Sequence, residues 1–578
     1  MIAKLKLTLL FLIPLLSLSQ SKLEKEFNLV THNINHFKAG NGFDDLQFLK
    51  PILKDKKIVG LGEATHGSKE FFQFKHRMFE FLVKEMDYKI FAFEANFSEC
   101  LLINDYVLYG KGNINQIISG MYFWTWDTNE VYDLIKWMRT HNSTIQNDED
   151  KVKFHGFDMQ FSHEAYYQTK EFLEENAADK FTPYKSIFKR YENQNFNWSA
   201  DSSLTQCLLE LKNIIQSTKA DSKTKSIITQ NITVLQQFNK SYSRKKNNSW
   251  GDYIVRDSCM AINSNWIQKF ENNQKMVLWA HNSHIFNNYL IKDKVHSMGY
   301  YLKKEHQDQY SILGFCFHHG GLRAKANPYT MVDTFYTTKP HKKSIDNYFY
   351  NIKKGNYFID LKQINNTETP LLYKQLIKEN KMQSIGALFN YKRHEHFYEN
   401  VKVLKDYDGL IYFATVSAAL PKNETSKNNK ADLFKTLNCT SLKGKEIKFE
   451  FSVSLNDYKD TEYKLIPWLE VLDIDSLKIH YSKSSVLTLN ETDRTFHFKT
   501  NITDNADKIN IGITARGSTK SVINYIKLYV KENNSWVKVN LNELIASNKN
   551  EKYNYWNILM NLNYSIDFKD DKIYLSPK

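Results

Sequence analysis

Cysteine is scarce. Cys100, Cys207, Cys259, Cys316 and Cys439 are the five in 578 residues, odd in number and widely spaced. No Cys-x-x-Cys occurs, so neither a zinc site built on cysteine nor a disulfide framework is indicated. His-Glu-x-x-His is missing too, and the single His-x-x-x-His pair, His32 with His36, lies in a polar N-terminal stretch. No Gly-x-Ser-x-Gly occurs, which removes the nucleophile elbow of serine hydrolases; Ser68 and Ser283 sit in no such turn. After Leu18 no apolar run is long enough to span a bilayer. The net charge of +14, with pI about 9.0, is spread along the chain rather than clustered. Nucleic-acid proteins show a basic stripe or a known module, so no nucleic-acid partner is expected. The charge reads as a solvated surface, with attraction to an anionic cell-surface polymer as its functional alternative.

What is present begins with Lys4 and Lys6, an apolar run from Leu7 to Leu16, and Ser17-Leu18-Ser19. A short basic region, a short hydrophobic core and small residues make a secretory signal peptide over residues 1–19, cleaved near Ser19–Gln20. The expectation is a secreted or periplasmic protein with no membrane span after signal removal. Its few thiols are then expected to be buried.

The stretch Lys57-Ile-Val-Gly-Leu-Gly-Glu-Ala-Thr-His-Gly67 reads as a buried strand followed by a tight polar turn that delivers Glu63 and His66. Phe71, Phe74, Met78, Phe81 and Leu82 then recur at helical spacing, with Lys75 in the second turn, able to lie near that loop. Further strands are expected at Lys89–Glu94, Val152–Asp158, Lys275–His284, Tyr310–Phe317, Ser384–Phe389 and Gly409–Phe413. Several end in an acid or a histidine: Glu94, Asp158, His281 with His284, and His318 with His319. Core strands have no physical need for polar residues at one end only, whereas a ligand-binding rim of an α/β sheet does. The aromatic patch Met121–Asp127 holds Trp124 and Trp126, which either wall a substrate cleft or, more often for such rings, pack a helix onto the sheet.

Residues about 162–272 are helical in pattern and read as an insertion forming a helical cap. Arg256-Asp257 opens one of its helices, with Met260, Ile262, Trp266 and Ile267 on the buried side. The polar stretch 422–430 is a linker. Beyond it, alternation at Ile447, Phe449, Phe451, Val453 and Leu455, at Ile509, Ile511 and Ile513, and at Ile526, Leu528 and Val530 argues an antiparallel β-sandwich over 431–578. Such a domain could hold carbohydrate, with Trp468 and Trp536 as platform candidates, although a core role is the commoner one for such rings. The expected fold is thus α/β, a largely parallel sheet flanked by helices over residues 20–421, plus a C-terminal all-β sandwich.

Taken together, Gly62-Glu-Ala-Thr-His-Gly67, Phe91-Ala-Phe-Glu-Ala95, Gly156-Phe-Asp158, Arg256-Asp257 with Met260-Ala261, Trp279-Ala-His-Asn-Ser-His284 and Met298-Gly299 resemble the erythromycin esterase family over about residues 45–420. The resemblance implies hydrolysis of a macrolactone ester, as in macrolide resistance, with no required metal or organic cofactor. It places the general base on His66, the paired acids on Glu63 and Glu94, and a second histidine pair on His281 and His284. Where the family commonly has an arginine nine residues after the base, this chain has Lys75, which keeps the charge without the planar fork. Histidine suits the removal of a proton from water near neutral pH. Glu63 or Glu94 would orient the ring, and His281, His284 or Lys75 would face the oxyanion. Lys75, His284, Trp124, Trp126 and Asp158 are the expected substrate-binding residues. A zinc or manganese ion held by His66, His281, His284, Glu63 and Glu94 is the rival reading. The other alternative is a cell-surface polysaccharide-modifying or glycan-binding protein.

Overall fold

The computed structural model describes residues 22–191, 202–247, 251–291, 295–327, 332–337 and 340–422. Farther along it describes 430–456, 464–473, 478–483, 493–516, 520–539, 557–560, 564–569 and 572–577. The signal-peptide stretch and most of the linker fall outside them. The chain divides into two compact units, Met1–Lys422 and Asn423–Lys578.

The first unit is built on one sheet of nine strands: β1 (Thr31–Asn33), β2 (Ile58–Leu61), β3 (Tyr88–Asn96), β4 (Lys153–Asp158), β5 (Lys275–Trp279), β6 (Tyr310–Lys325), β7 (Val332–Thr337), β8 (Tyr357–Asp360) and β9 (Gly409–Val416). Their spatial order is β1-β8-β9-β6-β2-β5-β3-β4, with β7 on the far end of β6. From β9 to β4 every neighbouring pair is parallel, while β1, β8 and β7 add antiparallel edges. Parallel strands are covered on both faces, so their sequences are apolar throughout and only the two-residue period separates the faces. Ile58, Ile90, Met276 and Leu278 enter one core and Val59, Phe91, Val277 and Trp279 the other.

The second face is covered by α1 (Lys69–Met86), through Phe71, Phe74, Met78, Phe81 and Leu82, and by α3 (Asn129–Asn142). The first face is covered by the inserted helices. These include α4 (His163–Asn176), α5 (Ser202–Ser217), α6 (Ser222–Asn247) and α7 (Gly251–Phe270). Leu208, Leu211, Ile232 and Leu235 join the same core as Ile58 and Leu278, so the insertion is a layer of the sandwich rather than a cap over the rim. In α7, Met260, Ala261, Ser264 and Ile267 face inward, whereas Ile262, expected there, is exposed. Met260 and Ile267 lie where the helical spacing puts them, and the inward position beside them is taken by Ser264, which donates to the Met260 carbonyl.

Ser384–Phe389 is not a strand. The preceding residues, Asn380–Gln383, pair with Tyr398–Val401 in a small separate sheet. Ile385 then bridges Thr65, and Leu388 bridges Lys325. Ile385 and Phe389 are buried against loops at the end of the sheet, which gave the stretch a strand-like alternation.

Among the described residues of the second unit every strand pairing is antiparallel. One sheet orders Lys478–Lys483, Lys464–Asp473, Ala506–Arg516, Lys430–Asn438 and Asn557–Met560. The other orders Asp493–Asn501, Glu446–Asn456, Lys520–Glu532, Lys572–Pro577 and Tyr564–Lys569, with Ser535–Val539 also on Lys520–Glu532. Ile447, Phe449, Phe451, Leu469, Val471, Ile509, Ile511, Leu528 and Val530 are buried, one face of each sheet. Trp536 is half-buried, with the ammonium groups of Lys448 and Lys499 each 5.4 Å from its ring. The Trp468 side chain lies outside the described residues.

Candidate active site

β2 ends at Leu61, and the chain turns at once through Gly62. A Cβ at Gly62 would stand 2.1 Å from the Asn282 side-chain oxygen, and one at Gly67 would stand 2.0 Å from the Arg323 carbonyl. Only glycine permits these approaches. The Asn282 side chain in turn joins both backbone groups of Phe315, donating to its carbonyl and accepting its N–H. The rims of β2, β5 and β6 are thereby fastened together, and Glu63 is fixed on the rim.

Glu63 is fully buried and saturated. One oxygen accepts from His66 Nδ1 at 2.6 Å. The other accepts from Lys75 Nζ at 2.7 Å and from Trp279 Nε1 at 2.7 Å. Burial alone would raise its pKa, but the Lys75 charge and the hydrogen bond from His66 hold it below the usual carboxylate value. Burial pushes the Lys75 ammonium down to about 8, with Glu63 resisting the fall. At neutral pH the two therefore form a buried ion pair, and the ammonium also lies 4.3 Å from the Trp279 ring centre. With an ionised carboxylate on Nδ1, His66 carries its proton there and presents a bare Nε2 lone pair. Its side chain is 12 % exposed, the only one of this trio that solvent reaches.

The ring of His281 stands 5.1 Å from that of His66, centre to centre. Its Nδ1 accepts the Ser283 backbone N–H at 3.3 Å and lies 2.7 Å from the Ser283 hydroxyl. That assigns the proton to Nε2, which is buried and has no hydrogen-bond partner among the described residues. Burial, with His66 and His284 nearby, lowers the His281 pKa to about 3, so the ring is neutral. A neutral imidazole with an unused N–H beside a proton acceptor is a donor waiting for an oxygen.

Behind His281 lies a second charged group. Glu94 accepts the His281 backbone N–H at 2.8 Å, and its other oxygen lies 2.8 Å from the Arg256 guanidinium and 3.3 Å from His284 Nε2. Burial opposes the charge of Glu94, but His284 and Arg256 hold it well below the ordinary range. Arg256 also clasps Asp158, with Nε 3.2 Å and a terminal nitrogen 2.7 Å from the carboxylate. His284 Nδ1 meets Asp257 at 2.9 Å. Burial works against a charged His284, yet Asp257 and Glu94 raise it to about 10. Arg256 Nη1 also lies 2.9 Å from His284 Nε2. The carboxylates on both sides decide in favour of the protonated ring.

The structure therefore gathers Glu63, His66, Glu94, Asp158, His281 and His284 at one rim. Several expected substrate contacts are held by protein instead. Lys75 is buried under Glu63, Asp158 is spent on Arg256, and both ring nitrogens of His284 are engaged. Trp126 is buried 4.1 Å from Phe93 and meets His66 edge-on at 5.8 Å, while Trp124 stays half-exposed beside Arg323. Arg256 and Asp257 had no assigned role beyond opening a helix, and they lie instead in its second turn, since α7 begins at Gly251. Among the described residues no group of three or more His, Cys, Asp or Glu is placed to hold a metal ion. The acids that would supply one are already neutralised by Lys75 and Arg256.

Comparison with known proteins follows the same outline. The chain is 26 % identical over 342 residues to the erythromycin esterase type II of Escherichia coli, covering 53 % of this chain and 78 % of that one. It is 25 % identical over 317 residues to the YbfO protein of Bacillus subtilis, which carries a provisional hydrolase name, covering 48 % and 68 %. A Bacillus cereus crystal structure superposes with TM-score 0.62 at 21 % identity, over 70 % of this chain and 99 % of that one. A mutant erythromycin esterase in its open conformation gives TM-score 0.50 at 14 % identity, over 66 % and 96 %. The sequence model described as Erythromycin esterase matches residues 83–416, downstream of Glu63 and His66. With that match covering more than half of its length, the chain belongs to the erythromycin esterase family.

Proposed function

We propose that this protein is an exported hydrolase that opens a macrolactone or similar ester by attack of water activated by His66. The observation that carries the reading is the chain Lys75–Glu63–His66, a buried ion pair of 2.7 Å and a hydrogen bond of 2.6 Å ending in a partly exposed imidazole. Glu63 fixes the tautomer and stabilises the imidazolium that forms when Nε2 takes a proton from water. The Nε2–H of His281 donates to the oxyanion as the carbonyl becomes tetrahedral. The proton held on His66 then passes to the leaving alcohol, and the products are a carboxylic acid and an alcohol. Relatedness to an erythromycin esterase supports the ester class, and the basic-then-apolar N-terminus supports export.

The test is mass spectrometry of macrolides and simpler esters incubated with the purified protein. A product heavier by one water, absent with His66→Ala, is the expected result. Loss of turnover on chelation, with recovery on adding one ion, would replace the His66 scheme by a metal-activated water. Absence of turnover across macrolides would remove that substrate class.

A further inference from the structure

Arg323 is a cation at the rim that, among the described residues, forms no ion pair with a carboxylate. Lys75, Arg256 and His284 each lie against an acid, at 2.7, 2.7 and 2.9 Å. Leu322 and Ala324, on either side of Arg323 near the end of β6, are buried in the core, so the two-residue period turns Arg323 to the other face. Its guanidinium carries five N–H donors. Among the described residues it makes one hydrogen bond, from Nη1 to the Asp127 backbone carbonyl at 3.5 Å, the long end for such a contact. Its central carbon stands 5.6 Å from the Trp124 ring centre. Both side chains are half-buried. Burial works against the charge of Arg323, and the charges of Asp127 and Glu130 oppose that effect. Glu130 is committed to the Leu420 backbone N–H at 3.1 Å, and burial raises its carboxyl.

Arg323 is fastened to the turn that carries the base. Its backbone N–H donates to the Gly67 carbonyl at 3.1 Å, and Gly67 follows His66. Its other edge is in register with Thr334 of β7. Trp124 belongs to the single 3-10 turn Trp124–Trp126, in the chain between α2 (Phe97–Tyr109) and α3. Such a turn rises about 2 Å per residue, so Trp124 lies about 4 Å along it from Trp126. Trp126 is the ring that meets His66 edge-on. The Arg323–Trp124 pair thus adjoins the base through Gly67 on one side and through Trp126 on the other.

A guanidinium that has given up part of its water for one long hydrogen bond still has donors to place. Two parallel N–H groups of its fork match the two oxygens of a carboxylate. A neutral group would leave the charge unanswered, and an ammonium would be repelled by it. Asp127 gives the guanidinium its backbone carbonyl and acts on it otherwise only through its charge, so the fork is not filled from within.

We propose that Arg323, backed by the Trp124 ring, is a specificity residue that binds a carboxylate carried by the substrate, so that the preferred ester is an anionic one. Its role in substrate choice rests on the hydrolase reading above; its ability to bind an anion does not. The first test is calorimetric titration of the full chain with benzoate and with benzamide, similar in shape and different in charge. Benzoate is expected to bind at least about tenfold more tightly. Arg323→Met should remove that difference, and Arg323→Lys should keep only part of it, because an ammonium lacks the fork. Lys69→Met, which removes another cation acting on Glu130, should leave it standing. Circular dichroism checks that each variant folds, and Arg323→Lys provides a reading if Arg323→Met does not. The second test compares hydrolysis of the para-nitrophenyl half-ester of glutarate with that of the para-nitrophenyl ester in which isopropyl replaces the carboxylate. The anionic ester should be favoured by at least about tenfold in kcat/KM, and Arg323→Met should abolish the preference through KM. Equal binding of benzoate and benzamide, or a preference unmoved in the folded Arg323 variants, would overturn the anion site. Hydrolysis of both esters without preference would overturn the role of Arg323 in substrate choice and leave the hydrolase reading intact. Benzoate binding that depends on Arg323 while neither ester is hydrolysed would instead overturn the hydrolase reading and leave the anion site standing.

Discussion

Two acid–histidine–cation groups meet at this rim and do opposite things. In one, Lys75 backs Glu63, and Glu63 backs His66 through a single ring nitrogen. In the other, Asp257, Glu94 and Arg256 surround both nitrogens of His284. The residue types are nearly the same. The number of partners decides the role: an imidazole with one nitrogen free can take a proton, and one enclosed by carboxylates is a fixed positive charge. His281 lies between them with its proton pinned outward, neutral because burial and two neighbouring imidazoles disfavour charge.

The comparison breaks most visibly at His66. His66→Ala should lower kcat by about 10²–10⁴-fold, the usual range for a general base, while leaving thermal stability nearly unchanged. A Tm loss as large as the activity loss would show His66 to be a structural group like His284. Next comes Lys75→Met, which leaves Glu63 buried without its cation. Removing one partner of a buried pair costs roughly 3–5 kcal/mol, measurable by urea unfolding. The Glu63 carboxyl should then rise and the His66 anchor weaken, so a variant with unchanged stability and rate would contradict the ion pair.

The two inner histidines should separate by pH. His284 is raised from 6.5 to about 10, so the folded state binds the extra proton between those values. Its contribution to stability is full below 6.5 and is lost as pH climbs toward 10. His281 is lowered from 6.5 to about 3, so the unfolded chain binds the extra proton there. Stability should fall as pH drops from 6.5 toward 3. Unfolding free energies measured across pH should show His284→Asn flattening the alkaline limb and His281→Asn the acid limb. If both variants flatten the same limb, one of the two charge assignments is wrong. The smallest effect is expected at Gly386, where an added Cβ would lie 4.0 Å from a His66 ring carbon, ordinary contact. Gly386→Ala should change kcat/KM by less than about twofold. A large loss would mean that His66 needs room there to move.

Much of this was legible one residue at a time. The apolar runs at Ile58, Ile90, Met276 and Ile312 announce buried parallel strands because both faces of such a sheet are covered. β1, β7 and β8 were missed; all three pair antiparallel, outside the run of parallel strands whose apolar sequences with polar ends mark them. Ser384–Phe389 was misread because burial against loops mimics burial in a strand. Glu63, Glu94, His281 and His284 stood out as polar residues at strand ends. Arg256 did not, since an arginine near the start of a helix is ordinary until its guanidinium is seen between Glu94 and Asp158.

The residue order alone marked most of the side chains that reach the rim, because an apolar run breaks where a polar residue follows and Gly62 turns the chain at the end of β2; β6 instead runs on through His318 and His319 to Lys325. It also settled the division between a parallel α/β unit and an alternating antiparallel one, since side-chain period follows from which faces are covered. Which histidine is base, which is neutral donor and which is fixed cation was decided only by tertiary structure. Those roles depend on partners from β2, α1, β3, α7 and β5, and a proton's preference is fixed by the charges and solvent around it, not by its neighbours in sequence.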